Sequence, residues 1–265
     1  MGQVYIKNAY VVTMDGNGTV YKNGGVLVED DKITAVGAVD PALVKPDAEV
    51  INGSGKYVLP GLVNTHVHTS QQLGRGLGDD VNLLTWLHER IWPYESNLTE
   101  EDSYMSTLLC CLEQIRAGVT SFAEPGGQFV SGMARGVTEA GLRAKLAKSV
   151  MDCGEGLPAV WQKTTQEELD KQEDDLKRFH NTANGRVQVW FGLRTIFNNS
   201  DDLIIKSKAL ADRYGVGLHM HVAEVEAGFD FSREKYGEGT GSHLNHLGVL
   251  DKNLLAVHTV WLTDE

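Results

Sequence analysis

The stretch Val58-Leu-Pro-Gly-Leu-Val-Asn-Thr-His66-Val-His68 decides how the chain is read. Its apolar run, Val58 to Val63, follows Gly55 and is closed by polar residues, the length and composition of a buried strand rather than a helix. Side chains two apart on a strand share a side, so His66 and His68 offer their nitrogens to one point just beyond its carboxyl end. In an isolated His-x-His, one imidazole is more often a packed core residue and the other a solvated one. The balance is changed by Gly217-Leu-His219-Met-His221-Val-Ala-Glu224, a second short strand ending in histidine with a carboxylate three residues on, and by Leu254-Leu-Ala-Val-His258, which ends the same way. A catalytic metal takes three or four nitrogen or oxygen ligands and keeps a position open for water. Three strands that each end in histidine are hard to explain as packing, and they read as one shared metal site.

Outward from Pro60, short apolar runs alternate with helical patterns, the sign of a parallel sheet with covering helices. Strands are expected near 58–65, 119–124, 143–151, 187–194, 216–223 and 254–260. The helices between them are Glu100 to Ala117, Val130 to Ala140, Thr165 to His180, Ser200 to Tyr214 and roughly Gly241 to Leu247. Thr99-Glu-Glu-Asp supplies an N-cap with an acidic first turn, and Gly118 a stop. The fold class is therefore α/β: about six βα units of an incomplete (β/α)8 barrel over residues 58–265, with a seventh unit due near Leu262-Thr263. Residues 1–57 alternate apolar and polar positions between turn clusters such as Asp15-Gly-Asn-Gly and Glu29-Asp-Asp-Lys, and read as short antiparallel strands in a small structural β-domain.

Pro60-Gly-Leu-Val-Asn-Thr-His-Val-His, His221-Val-Ala-Glu and Ala256-Val-His258 together resemble the metal-dependent amidohydrolase superfamily. The likeness is to its branch of cytosine/guanine deaminases, triazine hydrolases and S-adenosylhomocysteine/5-methylthioadenosine deaminases, and it runs from Ile6 to His258. The resemblance implies that residues 1–57 are the N-terminal half of a β-sandwich built from both ends of a longer chain. It implies one Zn2+ per active site, with Fe2+ as the other candidate, held by His66, His68 and His221 and completed by an aspartate at the end of an eighth strand. No residue here is assignable to that aspartate, and the expectation is a chain that is silent and poorly stable alone. The implied reaction is hydrolytic deamination of an aminated purine, nucleoside or related heterocycle. Glu224 protonates the ring nitrogen, and His258 hydrogen-bonds the attacking oxygen or joins a second metal site. Triazine-type dechlorination or dealkylamination, and a catalytically inactive N-terminal fragment, are the other readings.

The composition fits this class. The chain has 265 residues, 42% hydrophobic and 23% charged, with a formal net charge of −12 that disfavours a nucleic-acid partner and leaves a small-molecule substrate as the natural one. Cys110, Cys111 and Cys153 have no metal-type spacing and are odd in number, so a reducing, cytoplasmic location is expected and the sequons at Asn17, Asn52 and Asn97 read as chance. No apolar stretch approaches ~20 residues, the start lacks a signal pattern and a myristoylation motif, and no membrane partner is expected. A homo-oligomer is compatible with the sequence.

Four further positions carry expectations. Glu95, in Trp92-Pro-Tyr-Glu95, stands where the resembling deaminases have a substrate-binding glutamate, and a carboxylate there can accept two ribose hydroxyls; a solvated loop glutamate is the plain alternative. Lys148 and Arg194 end the third and fourth strands, where related nucleoside deaminases have arginine and histidine. Two cations at a barrel mouth favour an anionic substituent or pair with local carboxylates, and the sequence leaves both open. Glu124, at the second strand's end, is equally open. Gly74, Gly76 and Gly78 read as loop, and residues 82–92 as a helix over the mouth with His88 outward. His219 points the way His221 does but deeper and is expected to pack, and His180, His243 and His246 are expected to face solvent.

Overall fold

A computed structural model describes residues 2–263. The chain divides into two compact units, one ending at Leu62 and the other starting at Val63.

The first unit is a five-stranded sheet. β1 (Gln3–Val12), β2 (Val20–Glu29) and β3 (Lys32–Gly37) form an antiparallel meander. Asp15 closes the first hairpin by accepting from Asn17 N, Thr19 N and the Thr19 hydroxyl at 3.2, 2.8 and 2.7 Å. β4 (Glu49–Asn52) and β5 (Tyr57–Val58) both run parallel to β1, which departs from the all-antiparallel expectation. The 3-10 turn Pro41–Leu43 lies on the long return between β3 and β4, and a return of that length allows a strand to come back in the same sense as β1. Ala9, Val11 and Val26 form its small core with Ile6, Val28 and Val58.

The expected strand at 58–65 is two strands. Tyr57–Val58 belongs to the N-terminal sheet, Pro60 and Gly61 interrupt the ladder, and β6 (Leu62–Asn64) starts the second sheet. Nor is the run buried: Leu62 and Val63 are 59% and 67% exposed, because β6 is an edge strand among the described residues.

In the second unit, β6, β7 (Val119–Ala123), β8 (Arg143–Leu146) and β9 (Val187–Val189) follow in order, and β10 (Phe191–Leu193), β11 (Leu218–Val222) and β12 (Leu254–His258) continue. The pairs β7–β8, β8–β9, β10–β11 and β11–β12 are all parallel. β9 and β10 are one strand broken at Trp190: Trp190 N donates to Leu146 O on one side and Phe191 N to Gly217 O on the other, at 2.8 and 3.1 Å. The result is the predicted succession of six strands, parallel from β7 to β9 and from β10 to β12, with β6 and β12 at the edges among the described residues.

The intervening helices are α1 (Glu100–Arg116), α2 (Val130–Ala140), α3 (Thr165–Phe179), α4 (Asp201–Tyr214), α5 (Glu226–Tyr236) and α6 (Thr240–His246). Capping boxes start α1 at Thr99 with Asp102 and α3 at Thr164 with Glu167. Strand residues alternate between helices and barrel interior: Leu218, Met220 and Val222 join Phe122, Leu146, Phe191, Leu203 and Ile204 in one core, and His219 and His221 occupy the alternate positions. α3 is unusual in turning Glu168, Gln172 and Asp175, all buried, inward beside Leu169 and Leu176. Gln172 accepts from Gly192 N at 2.7 Å, just past the strand break. No described helix is long and apolar enough to cross a membrane.

Candidate metal centre

His66 and His68 lie past the carboxyl end of β6, and His221 is the fourth residue of β11. Each presents one ring nitrogen, and the three atoms lie within 4.8 Å of one another. The Nε2 atoms of His68 and His221 are 3.3 Å apart. His221 Nδ1 is 2.9 Å from the Arg194 carbonyl oxygen; donating there leaves Nε2 unprotonated and free to ligate. Burial, first among the causes, pushes the His66 imidazole down to about 4 and holds His68 and His221 well below their ordinary range. All three are therefore neutral at pH 7, the form that binds a metal.

The donor set fits a metal on two counts. Three neutral imidazoles suit Zn2+ and its neighbours in the first transition row. His66 Nδ1 is buried without a hydrogen-bond partner, and the uncommitted His221 Nε2 converges with His68 Nε2 at 3.3 Å. Among the described residues no other group of three or more histidines, cysteines or carboxylates is so gathered. His219 stays out of the group: it is 1% exposed, its ring centroid is 6.1 Å from that of His66, and burial pushes it down to about 3.

Glu224 and His258 form the second half of the site. Ala223 adopts a left-handed φ of 49°, turning the chain so that Glu224 leaves the line of β11. His258 and Thr259 are also left-handed, at 72° and 54°. Thr259 N and Trp261 N donate to Val222 O and Ala223 O, both at 2.9 Å, which ties the two strand ends together. His258 Nε2 is thereby set 3.5 Å from Glu224 Oε1, with the His258 ring 4.8 Å from that of His66.

Glu95 is 3% exposed, which overturns the solvated-loop alternative. It accepts from Gln71 Nε2 at 2.7 Å, and Arg194 Nη1 stands 3.9 Å from its other oxygen. Burial raises its pKa against the pull of Arg194. Lys148 is placed differently: it is bound to buried Glu168 at 2.6 Å, the local pairing that the sequence left open. A cavity of about 530 Å³ is lined by Glu95, Phe129, Lys148, Trp161 and Glu168.

Several residues at the centre carry no strong signal in the sequence. Glu124 is fully buried, accepts from Thr69 N and from Gly126 N at 3.1 Å, and is pushed up to about 7 by desolvation. Thr69 is held in turn by Ser106, whose hydroxyl donates to its carbonyl at 2.8 Å, and by the Thr107 hydroxyl at 3.0 Å. The available signal was Glu124-Pro-Gly-Gly at a strand end, where glycines permit a tight reversal. His246 and His88 are exposed as expected, but His243 is not. It is 6% exposed, stacked on Tyr236 at 3.7 Å and set between Asp201 and Glu238, because the short helix α6 turns that face inward. His180 is half-buried and accepts from Val189 N.

Comparison with known proteins follows the same lines. The model of the amidohydrolase family matches residues 57–265. A 5'-deoxyadenosine deaminase of Methanosarcina mazei is 40% identical over 272 residues, covering 100% of this chain and 59% of that protein. A 5-methylthioadenosine/S-adenosylhomocysteine deaminase of Halothermothrix orenii is 34% identical, covering 99% and 59%. The crystal structure of an adenosine deaminase from Xanthomonas campestris with bound zinc superposes with a TM-score of 0.89 at 26% identity, over 99% of this chain and 58% of that one. A guanine deaminase from C. acetobutylicum, at 0.88 and 19% identity, shares the fold. The chain thus spans about three fifths of the length of the relatives it matches in sequence.

Proposed function

Because the chain belongs to the amidohydrolase family, we propose that it carries the metal-binding part of a hydrolase that removes the amino group of an aminated purine nucleoside. The observation that carries this is the meeting of His66, His68 and His221 within 4.8 Å, beside the Glu224–His258 pair. A divalent ion bound there, Zn2+ by preference, supplies the Lewis acidity that makes water a nucleophile near neutral pH. Glu224, half-buried at the turn after β11, carries a proton to the ring nitrogen next to the reacting carbon. His258 hydrogen-bonds the oxygen that adds to that carbon and keeps Glu224 oriented. Glu95, fixed by Gln71, accepts the sugar hydroxyls, and Arg194 neutralises it from the far side. Lys148 acts through Glu168 as part of the cavity wall.

Support for an adenosine-type substrate comes from the 5'-deoxyadenosine and methylthioadenosine deaminases among the relatives. The triazine reading rests on likeness of fold alone, at 19–21% identity. In the same proposal the five-stranded N-terminal sheet is part of a β-sandwich, and Ile33 and Ile51, exposed on the face that carries Ile6, Val26 and Val28, support a further layer there. The test is metal content together with ammonia release from adenosine, 5'-deoxyadenosine, 5-methylthioadenosine, S-adenosylhomocysteine and guanine. It is run on the 265-residue chain and on a version extended to the length of its relatives. One equivalent of zinc, and turnover of an adenosine-type nucleoside by the extended form, are expected; zinc-independent behaviour of both would end the proposal.

A further inference from the structure

We propose that Glu124 is the positioning residue for His68: its carboxylate fixes the ring so that Nδ1 carries the proton and Nε2 is left to ligate. The inference rests on the metal-site reading above and concerns a residue that does not touch the metal.

Three observations converge on it. His68 Nδ1 is buried and has no hydrogen-bond partner, and Glu124 Oε1 stands 3.9 Å from it. Glu124 Oε1 accepts from Gly126 N, while the other oxygen accepts from Thr69 N. A carboxylate oxygen has two lone pairs, so Oε1 keeps one for a further donor, and the orphaned imidazole N–H is the donor beside it. On the opposite side of the ring, His68 Nε2 is 3.3 Å from His221 Nε2, the nitrogen that His221 has free. The ring is therefore poised with one nitrogen toward the carboxylate and the other toward the gathered imidazoles.

The carboxylate is itself unusually constrained. Glu124 continues β7 through its own amide, which donates to Lys145 O at 2.9 Å. Gly126 has a φ of +141°, and a Cβ there would lie 2.6 Å from the Ser149 backbone, so only glycine lets the turn bring its amide back to Glu124. Thr69, the residue after His68, is clamped by Ser106 and Thr107 of α1, both 0% exposed. Glu124 thus bridges the turn after His68 to the end of β7. A carboxylate that takes the second nitrogen of a ligating histidine fixes its tautomer and raises its basicity, and removing such a partner commonly lowers metal affinity about 10–100-fold.

The experiment measures zinc affinity of the 265-residue chain by chelator competition, with the melting temperature of each metal-free protein recorded alongside. Glu124→Ala is expected to weaken zinc binding about 10–100-fold. Glu124→Gln is expected to weaken it too, although its shape is kept, because an amide NH2 presented to His68 favours the wrong tautomer. Glu124→Asp is expected to recover part of the loss. Ser106→Ala loosens the same turn without touching Glu124, and should lower the melting temperature while changing affinity less than twofold. Parent-like zinc affinity in both Glu124→Ala and Glu124→Gln, or an equal loss in Ser106→Ala, overturns the positioning role alone. A parent chain that binds no zinc overturns the metal-site reading and this inference with it.

Discussion

The two halves of the candidate site are built to different standards of constraint. Around His68 and His221 the groups are buried and over-determined: Glu124 is held by two backbone amides, Thr69 by two hydroxyls, and His221 by the Arg194 carbonyl. Around Glu224 and His258 there is one 3.5 Å contact, both side chains are a little over a quarter exposed, and the backbone is left-handed at three nearby residues. A ligand set has to hold a fixed geometry, whereas a proton carrier has to change protonation and partner during a cycle. Rigidity sits where the metal would bind, and strain and solvent access sit where protons would move.

The sharpest way to break this contrast is to remove a ligand. His221→Ala takes away the buried imidazole and is expected to reduce zinc content to background, and turnover with it, as read by elemental analysis of the purified protein. Glu224→Gln should separate the halves: zinc content unchanged, turnover of the active form down on the order of 10²-fold or more. If zinc is lost as well, the two halves are not independent. His258→Asn, which keeps a donor near Glu224, is expected to cost less, about tenfold, since it only assists the proton carrier.

Protons supply a gentler probe. His66 is depressed to about 4 in the folded protein against an ordinary value near 6.5, and His68 and His221 move the same way through burial. Between those values the unfolded chain binds more protons than the folded one, so folding stability falls as pH drops below about 6.5, and the His66 share of that fall ends below about 4. Glu124 and Glu95, both raised by burial, act in the opposite sense over this window. With three imidazoles against two carboxylates, the metal-free chain should still melt at a lower temperature at pH 5 than at pH 7, and saturating zinc should widen the gap, because protons compete with it. The smallest effect is expected far from both halves. Thr99→Ala removes the N-cap of α1 and should cost about 1 kcal/mol, with zinc affinity unchanged.

What the sequence reveals of the centre follows from period. His66 and His68 stand two apart on extended chain and His221 ends another strand, so three candidate ligand positions are legible once these distant segments are read together. Glu124 and Glu168 are not, since each takes its meaning from a partner elsewhere: His68 for one and Lys148 for the other. Glu168 is hidden among the charges of Gln166-Glu-Glu-Leu-Asp-Lys, where an inward glutamate looks like its solvated neighbours. The strand at 58–65 is misread because its composition outweighs Pro60-Gly61, although that pair is the stronger local signal. The parallel sense of β4 and β5 has no local signal at all, because pairing direction is set by the path of the chain between strands.

The inward polar stripe of α3 has a consequence for assembly. Glu168, Gln172 and Asp175 recur at one-turn spacing, and the first two meet particular partners, the Lys148 ammonium and the Gly192 amide. An apolar helix can slide by a turn over an apolar sheet at little cost. If α3 slid by a turn, Glu168 would leave Lys148, and the ammonium would be stranded in a dry place without its counter-charge. The Glu168–Lys148 and Gln172–Gly192 contacts therefore work as a proofreading key, since a near-miss docking of this helix gives up the buried ion pair.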